Sequence, residues 1–226
     1  GSFLGGRIDL FPHQLHTAMR AVEADPVRWL LADEVGLGKT VEACLILSAL
    51  LRTKRAERAL VVAPATLAVQ WLGELYRKFH QIFVLLDPER LEAVETDFGE
   101  DVNPFEVHPF AVLPLELAAK DDRLLAQAEE AGLDVIVIDE AHRLFQGEYA
   151  KPLSTLVLHA RHALLLSATP LQEDRKGFYK LLSLLHPKLF KNFKAFDEGI
   201  QKGDAVIPCT SAVRRTEVGG LPPRVA

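Results

Sequence analysis

Six short apolar runs constrain the fold more than any other feature: Trp29–Ala32, Leu60–Ala63, Ile82–Leu86, Phe110–Leu113, Val135–Ile138 and Leu164–Ser167. Each is rich in Val, Ile or Leu and lacks polar alternation. A strand covered on both faces has no polar side, so these runs read as strands of a buried parallel sheet. Amphipathic stretches at Val41–Leu51, Leu67–Phe79, Asp122–Glu130 and Lys151–His159 lie between them. Such strand–helix–strand repetition implies right-handed crossovers and a doubly wound, mostly parallel α/β sheet with helices on both faces.

The bulk properties add little beyond this. The 226 residues suffice for one large α/β domain or two small ones, and 49% hydrophobic with 25% charged residues is ordinary globular usage. No apolar run approaches the roughly 20 residues of a membrane-spanning helix, so no membrane partner is expected. Cys44 and Cys209 are far apart and lack metal-ligand spacing, which suits a reduced, cytoplasmic setting. With 31 acidic against 26 basic residues, composition gives no support for nucleic-acid binding, leaving only a local patch to provide it. Strand signals fade after about Pro208. The expected organisation is a tail over 1–6 (Gly1-Ser2 reading as a tag-cleavage scar), one lobe over 7–210, and a linker over 211–226.

Between the first apolar run and the first helix stands Asp33-Glu34-Val35-Gly36-Leu37-Gly38-Lys39-Thr40. Gly36 and Gly38 let backbone N–H groups close around phosphate oxygens, and the helix beginning near Lys39 adds its N-terminal donors. Lys39 is placed to reach the β- and γ-phosphates of ATP, and Thr40 to offer its hydroxyl to Mg2+. Val41 completes the segment. Asp33 stands where the strict phosphate-loop pattern has glycine. A glycine-rich turn that merely starts a helix is the competing reading, and the strand before the loop argues against it.

Asp139-Glu140-Ala141-His142 follows another buried run, where ligands of open α/β sheets bind. Asp139 is the candidate Mg2+ carboxylate and Glu140 the candidate that polarises the attacking water. Ser167-Ala168-Thr169 again ends an apolar run with small hydroxyl residues. Upstream, His13-Gln14 offers an amide that both donates and accepts, as recognition of an adenine edge requires.

Taken in order and spacing, Gln14, the phosphate loop, Asp-Glu-Ala-His and Ser-Ala-Thr resemble superfamily-2 helicase-like motors. The loop wording and the Thr-Val-Glu-Ala that continues it are similar to the Swi/Snf-type branch, and within it to the bacterial RNA-polymerase-associated recycling ATPases. Asn103-Pro104-Phe105 and Val213-Arg214-Arg215-Thr216 extend the likeness, which runs from about Arg7 to Arg224. The resemblance implies the first RecA-like lobe of a P-loop motor that moves along double-stranded DNA. It also implies a second RecA-like lobe that supplies arginine fingers, and RNA polymerase or another DNA-bound complex as partner. It makes Lys39, Asp139, Glu140 and His142 catalytic, with His142 coupling the ATP site to Ser167, Ala168 and Thr169.

By the same resemblance, Pro64, Thr66, Gln70 and Trp71 form the DNA-backbone segment, where Thr66 and the helix start would take a phosphate. For Trp71, packing in the core of an amphipathic helix stands beside DNA contact. Leu113-Pro114-Leu115 departs from the serine that relatives tend to carry there. Two other functions remain open: a strand-separating helicase of repair or phage defence, and a nucleotide-gated module that binds RNA polymerase without turnover.

Other suggestive patterns have plainer readings. Leu189, Phe193, Phe196 and Ile200 are spaced as the inner face of a docked helix rather than a stacking platform. Arg52, Lys54, Arg55 and Arg58 read as a solvated helix end. His13/His16 and His159/His162, three apart on expected helices, lack the neighbours a zinc site needs.

Overall fold

The computed structural model describes residues 11–32, 38–145, 150–168, 174–202 and 209–211. Helix α1 (Pro12–Glu23) precedes strand β1 (Arg28–Leu31), and α2 (Lys39–Arg52) leads to β2 (Ala59–Ala63). Then come α3 (Ala65–Phe79), β3 (Val84–Leu85), α4 (Pro88–Phe98), α5 (Pro104–Val107) and β4 (Phe110–Pro114). Helices α6 (Leu115–Ala118) and α7 (Asp122–Glu130) are followed by β5 (Val135–Ile138) and a 3-10 turn at Ala141–Phe145. The chain continues through α8 (Ala150–His159), β6 (His162–Leu166), α9 (Arg175–Leu185), α10 (Phe193–Lys202) and β7 (Thr210–Ser211).

All pairings are parallel, in the order β3-β4-β2-β5-β6-β1-β7. Every residue of β2, β5 and β6 is buried, so both faces of the sheet are covered. Helices α1, α2 and α3 contact one another in series, as do α7, α8 and α9, supplying the two layers. Unbroken apolar runs thus became central strands for the expected reason: neither face meets water.

Helix starts follow local chemistry. Asp87, Asp121 and Asp174 accept from the backbone N–H of Arg90, Leu124 and Gly177 at 2.8, 2.9 and 2.7 Å, satisfying donors that have no partner within the helix. Asn103 caps α5 through Phe105 N (3.0 Å) and donates to the Gln127 carbonyl (2.7 Å), with Phe105 buried beneath.

Several expectations are corrected. Only Val84–Leu85 of the Ile82–Leu86 run pairs, because β3 is an edge strand with a single neighbour, and Ile82 lies exposed. A further strand, β7, pairs with β1 where strand signals had faded; its Thr-Ser composition carries no apolar signature. Leu189 precedes α10 and is exposed, and no residue of α10 is fully buried. Phe193 and Phe196 instead gather about Tyr179, with ring centroids 5.3 and 5.4 Å away. Arg55 and Arg58 are clamps rather than solvated ends. Arg55 donates to the carbonyls of Val22 (2.8 Å) and Ala24 (2.5 Å), and Arg58 to that of Phe105 (3.2 Å). His162 starts a strand and is fully buried.

Arg28 fixes the amino-terminal edge of the sheet. Its guanidinium donates to the carbonyls of Leu185 (2.6 Å), Ala160 (2.7 Å) and Val157 (2.8 Å). These are orphan acceptors at the ends of α9 and α8, where a cation also suits the helix dipole. Helix carboxyl ends therefore meet the start of β1, and helix amino ends face the opposite edge.

His162 Nδ1 accepts the Val27 N–H at 2.9 Å, so that nitrogen must be unprotonated. Burial pushes its pKa below the ordinary value, and burial does the same to His186. The folded chain therefore binds fewer protons than the unfolded one just below pH ~6.5. Stability is fully present above that pH and is lost as pH falls toward the depressed folded values. Thermal unfolding midpoints should fall between pH 7.5 and 5.5. His162→Leu should be less stable throughout, with a shallower dependence; an equal slope in both proteins would count against this assignment.

Candidate nucleotide-binding site

Strands β5, β6 and β1 are immediate neighbours, with Ile138 level with Leu165 and Leu166 level with Leu31. Because they run parallel, their carboxyl ends deliver three sequence-distant segments to one edge: Asp139–Glu140, Ser167–Ala168, and Ala32 leading toward Gly38–Thr40. Ser167 N donates to the Leu31 carbonyl at 3.0 Å and is almost fully buried, which fixes the central segment between the other two. Residues 33–37, carrying Asp33, Glu34, Val35, Gly36 and Leu37, lie outside the described residues, as does Thr169.

Helix α2 begins at Lys39 directly after Gly38, whose φ of 88° is left-handed and suited to glycine. Gly38 has no side chain with which to cap this start, and the first turn around Lys39, Thr40 and Val41 lies at the edge where the strands end. Such an end is an anion site by charge and by donor supply. Gln14 backs it from α1. Its Oε1 accepts the Phe11 N–H at 3.2 Å, while a β-carbon at Gly38 would run into Nε2. The Gln14 amide is nearly fully buried. The Phe11 and His13 rings stack nearby, 5.7 Å apart and 19° from parallel. Phe11 had no signal in the sequence beyond preceding Pro12.

Asp139 is 7% exposed, and both its oxygens are held. Oδ1 accepts the N–H of Glu140 at 2.8 Å, and Oδ2 accepts the Trp71 indole N–H at 2.8 Å. Asp139 N donates to the Val62 carbonyl at 2.8 Å, continuing the ladder to the last residue before the turn. Glu140 then adopts φ 50°, a left-handed conformation costly for a side-chain-bearing residue and concentrated at functional sites. Its Oε2 lies 3.3 Å from His142 Nδ1. His142 in turn borders a cavity lined by Phe145, Asp174, Lys176 and Phe178. Each Asp139 oxygen retains an unused lone pair, and carboxylate with the Thr40 hydroxyl is the hard-oxygen set that Mg2+ prefers.

The expected DNA-backbone segment divides. Thr66 and Gln70, one turn apart on α3, are exposed. Pro64 is buried and Trp71 is 1% exposed, so neither has surface to offer a nucleic acid; Trp71 belongs to the core and to Asp139. The helix start is also occupied. Ala65 N donates to Glu116 Oε2 at 2.8 Å, and Glu116 Oε1 lies 3.3 Å from Arg143 Nη1. Burial acts to raise the Glu116 pKa, but the Ala65 N–H and the Arg143 guanidinium outweigh it and hold the carboxyl below its ordinary value. A carboxylate therefore already takes the first amide that a phosphate would need. Pro114 ends β4, and α6 begins immediately after it, presenting Glu116. Neither Glu116 nor Arg143 carried a signal in the sequence.

A family model described as SNF2-related domain matches residues 15–205. The chain belongs to this family. Among similar proteins, the RNA polymerase-associated protein RapA of Sodalis glossinidius is 39% identical over 88% of this chain and 21% of its own length. RapA of Yersinia enterocolitica is 37% identical over 94% and 23%. This SNF2 domain thus spans about a fifth of the length of these curated relatives. The Sulfolobus solfataricus SWI2/SNF2 ATPase core superposes with a TM-score of 0.70 at 20% identity, covering 98% of this chain and 48% of that one. The same core in complex with dsDNA gives 0.68 at 19%, covering 92% and 45%. The fold is RecA-like, and the chain is a RapA-like domain of the SNF2 type, the first lobe of a helicase-like core.

Gly38→Ala should distort both the left-handed start of α2 and the Gln14 amide. Incompatible backbone geometry costs more than about 1 kcal/mol. Urea unfolding should show at least that loss, and an unchanged midpoint would contradict the packing described.

Proposed function

We propose that this SNF2 domain binds ATP with Mg2+ at the carboxyl edge of β1, β6 and β5, and is the first motor lobe of a double-stranded DNA translocase that remodels protein–DNA complexes. The observation that carries the reading is the convergence of Lys39 and Thr40, Ser167, and Asp139 with Glu140 on three adjacent parallel strand ends. Lys39 and the first-turn amides of α2 bind the phosphates. Thr40 and Asp139 hold the metal, which when bound neutralises charge developing on the transferred phosphoryl group. Glu140, held in its left-handed turn, orients the attacking water, and His142 supports its carboxylate from 3.3 Å. His13 and Gln14 stand at the base side.

Double-stranded DNA and RNA polymerase, or another DNA-bound complex, are the proposed partners. The solved core bound to dsDNA and the names of the RapA relatives support them. The exposed Thr66 and Gln70 are the residues proposed to face DNA. No described helix is long and apolar enough to cross a membrane, and the proposed setting is the bacterial cytoplasm. A second lobe would contribute the transition-state arginines, and an arginine finger is worth on the order of 10³–10⁵ in rate. The isolated chain should therefore bind ATP weakly and turn over little.

Lys39→Ala should abolish binding of a fluorescent ATP analogue. Glu140→Gln should preserve binding while removing hydrolysis, measured in the presence of a second lobe and duplex DNA. Turnover unaffected by Glu140→Gln, or by duplex DNA, would sink the proposal.

A further inference from the structure

Trp71 and Asp139 are 68 residues apart in sequence, yet a buried 2.8 Å bond joins the indole N–H to Oδ2. The chain holds two tryptophans. Trp29 is also buried, but its Nε1 meets no acceptor among the described residues. Burial alone therefore does not oblige an indole in this core to find a carboxylate. The Trp71 bond has a consequence at the other end. With the Glu140 N–H on Oδ1 and the indole on Oδ2, the Asp139 carboxylate plane cannot turn about its last torsion, and its remaining lone pairs point in fixed directions. Partners of this outer shell orient metal ligands and commonly govern metal affinity.

The geometry points to Trp71 as a positioning residue for the divalent cation: its indole N–H fixes Asp139 and ties that carboxylate to helix α3. The tie is not solitary. Six residues earlier on α3, Ala65 N is bonded to Glu116, which pairs with Arg143 in the turn that follows Glu140. Helix α3 is thus fastened to the acid turn at two points, close to its exposed Thr66 and Gln70. The inference rests on the nucleotide-binding reading of the same site.

Trp71→Phe keeps an aromatic ring in the core and removes the donor. Affinity for a fluorescent ATP analogue would be titrated with Mg2+ and, separately, in EDTA. The variant should lose about tenfold of the Mg2+-dependent gain, with metal-free affinity unchanged. Equal Mg2+ dependence in the folded variant and the native chain overturns the inference. Failure of the native chain to bind the analogue at any Mg2+ concentration removes the nucleotide reading and this inference with it. A second measurement needs no folded variant at position 71. In ¹H–¹⁵N spectra of the native chain, with indole signals assigned through Trp29→Phe, the Trp71 signal should move when Mg2+ is added to the nucleotide-bound chain. A stationary Trp71 signal overturns the inference.

Discussion

Strand polarity is the constraint on which the rest depends. Because β5, β6 and β1 are parallel neighbours, their carboxyl ends meet at one edge, and helices that return antiparallel bring their amino ends to the same edge. The opposite edge collects helix carboxyl ends, and Arg28 satisfies four carbonyls there. The molecule is therefore polar in the electrostatic sense: donors and partial positive charge on one side, acceptors bound by a cation on the other. The first edge suits an anion for reasons that precede any particular side chain.

On that edge the side chains divide their work by burial. Lys39 and Thr40 start α2 and are partly open, as phosphate and metal chemistry require. Asp139 is nearly closed off, with each oxygen already accepting one hydrogen bond. A buried carboxylate so held keeps its direction but not its full hydration, which favours a cation over water. Glu140 sits one residue further, in a left-handed conformation just past the ladder that Asp139 still completes. The Asp139 ladder bond and the Arg143–Glu116 pair flank Glu140 on its two sides.

Glu116 gives α3 a different character from α2. Both helices start at a strand's carboxyl end, but α2 opens on a glycine while α3 has its first amide bonded to a carboxylate. Two helix starts of similar dipole thus present unlike surfaces. The difference comes from one acidic residue delivered by a neighbouring strand rather than from either helix's own sequence.

The sheet, its parallel sense and most helix positions were legible in the chain itself, as were the residues proposed for the site. Both signals are local: an apolar run without alternation can only be buried on two faces, and a glycine-lysine-threonine start can only follow a strand into a helix. Where elements failed to announce themselves, the cause was equally physical. Thr210–Ser211 becomes a strand because β1 has an open edge, not because of its own composition, and Ile82 is left out because β3 is paired on one side alone. Leu189 and Phe193 have the spacing of an inner face, yet both are exposed, and Phe196 and Ile200 are no more than partly buried. The placement of Trp71 against Asp139, of Gln14 against Gly38, and of Glu116 between Ala65 and Arg143 could not be read from spacing. Each joins residues on different elements, and such contacts exist only after parallel packing has set the distances between helices and strand ends. Local chemistry therefore determined which residues are proposed to bind phosphate and which form the acid pair. Tertiary packing decided how the acid pair is held, and that the tryptophan beside the exposed Thr66–Gln70 face turns inward to hold it.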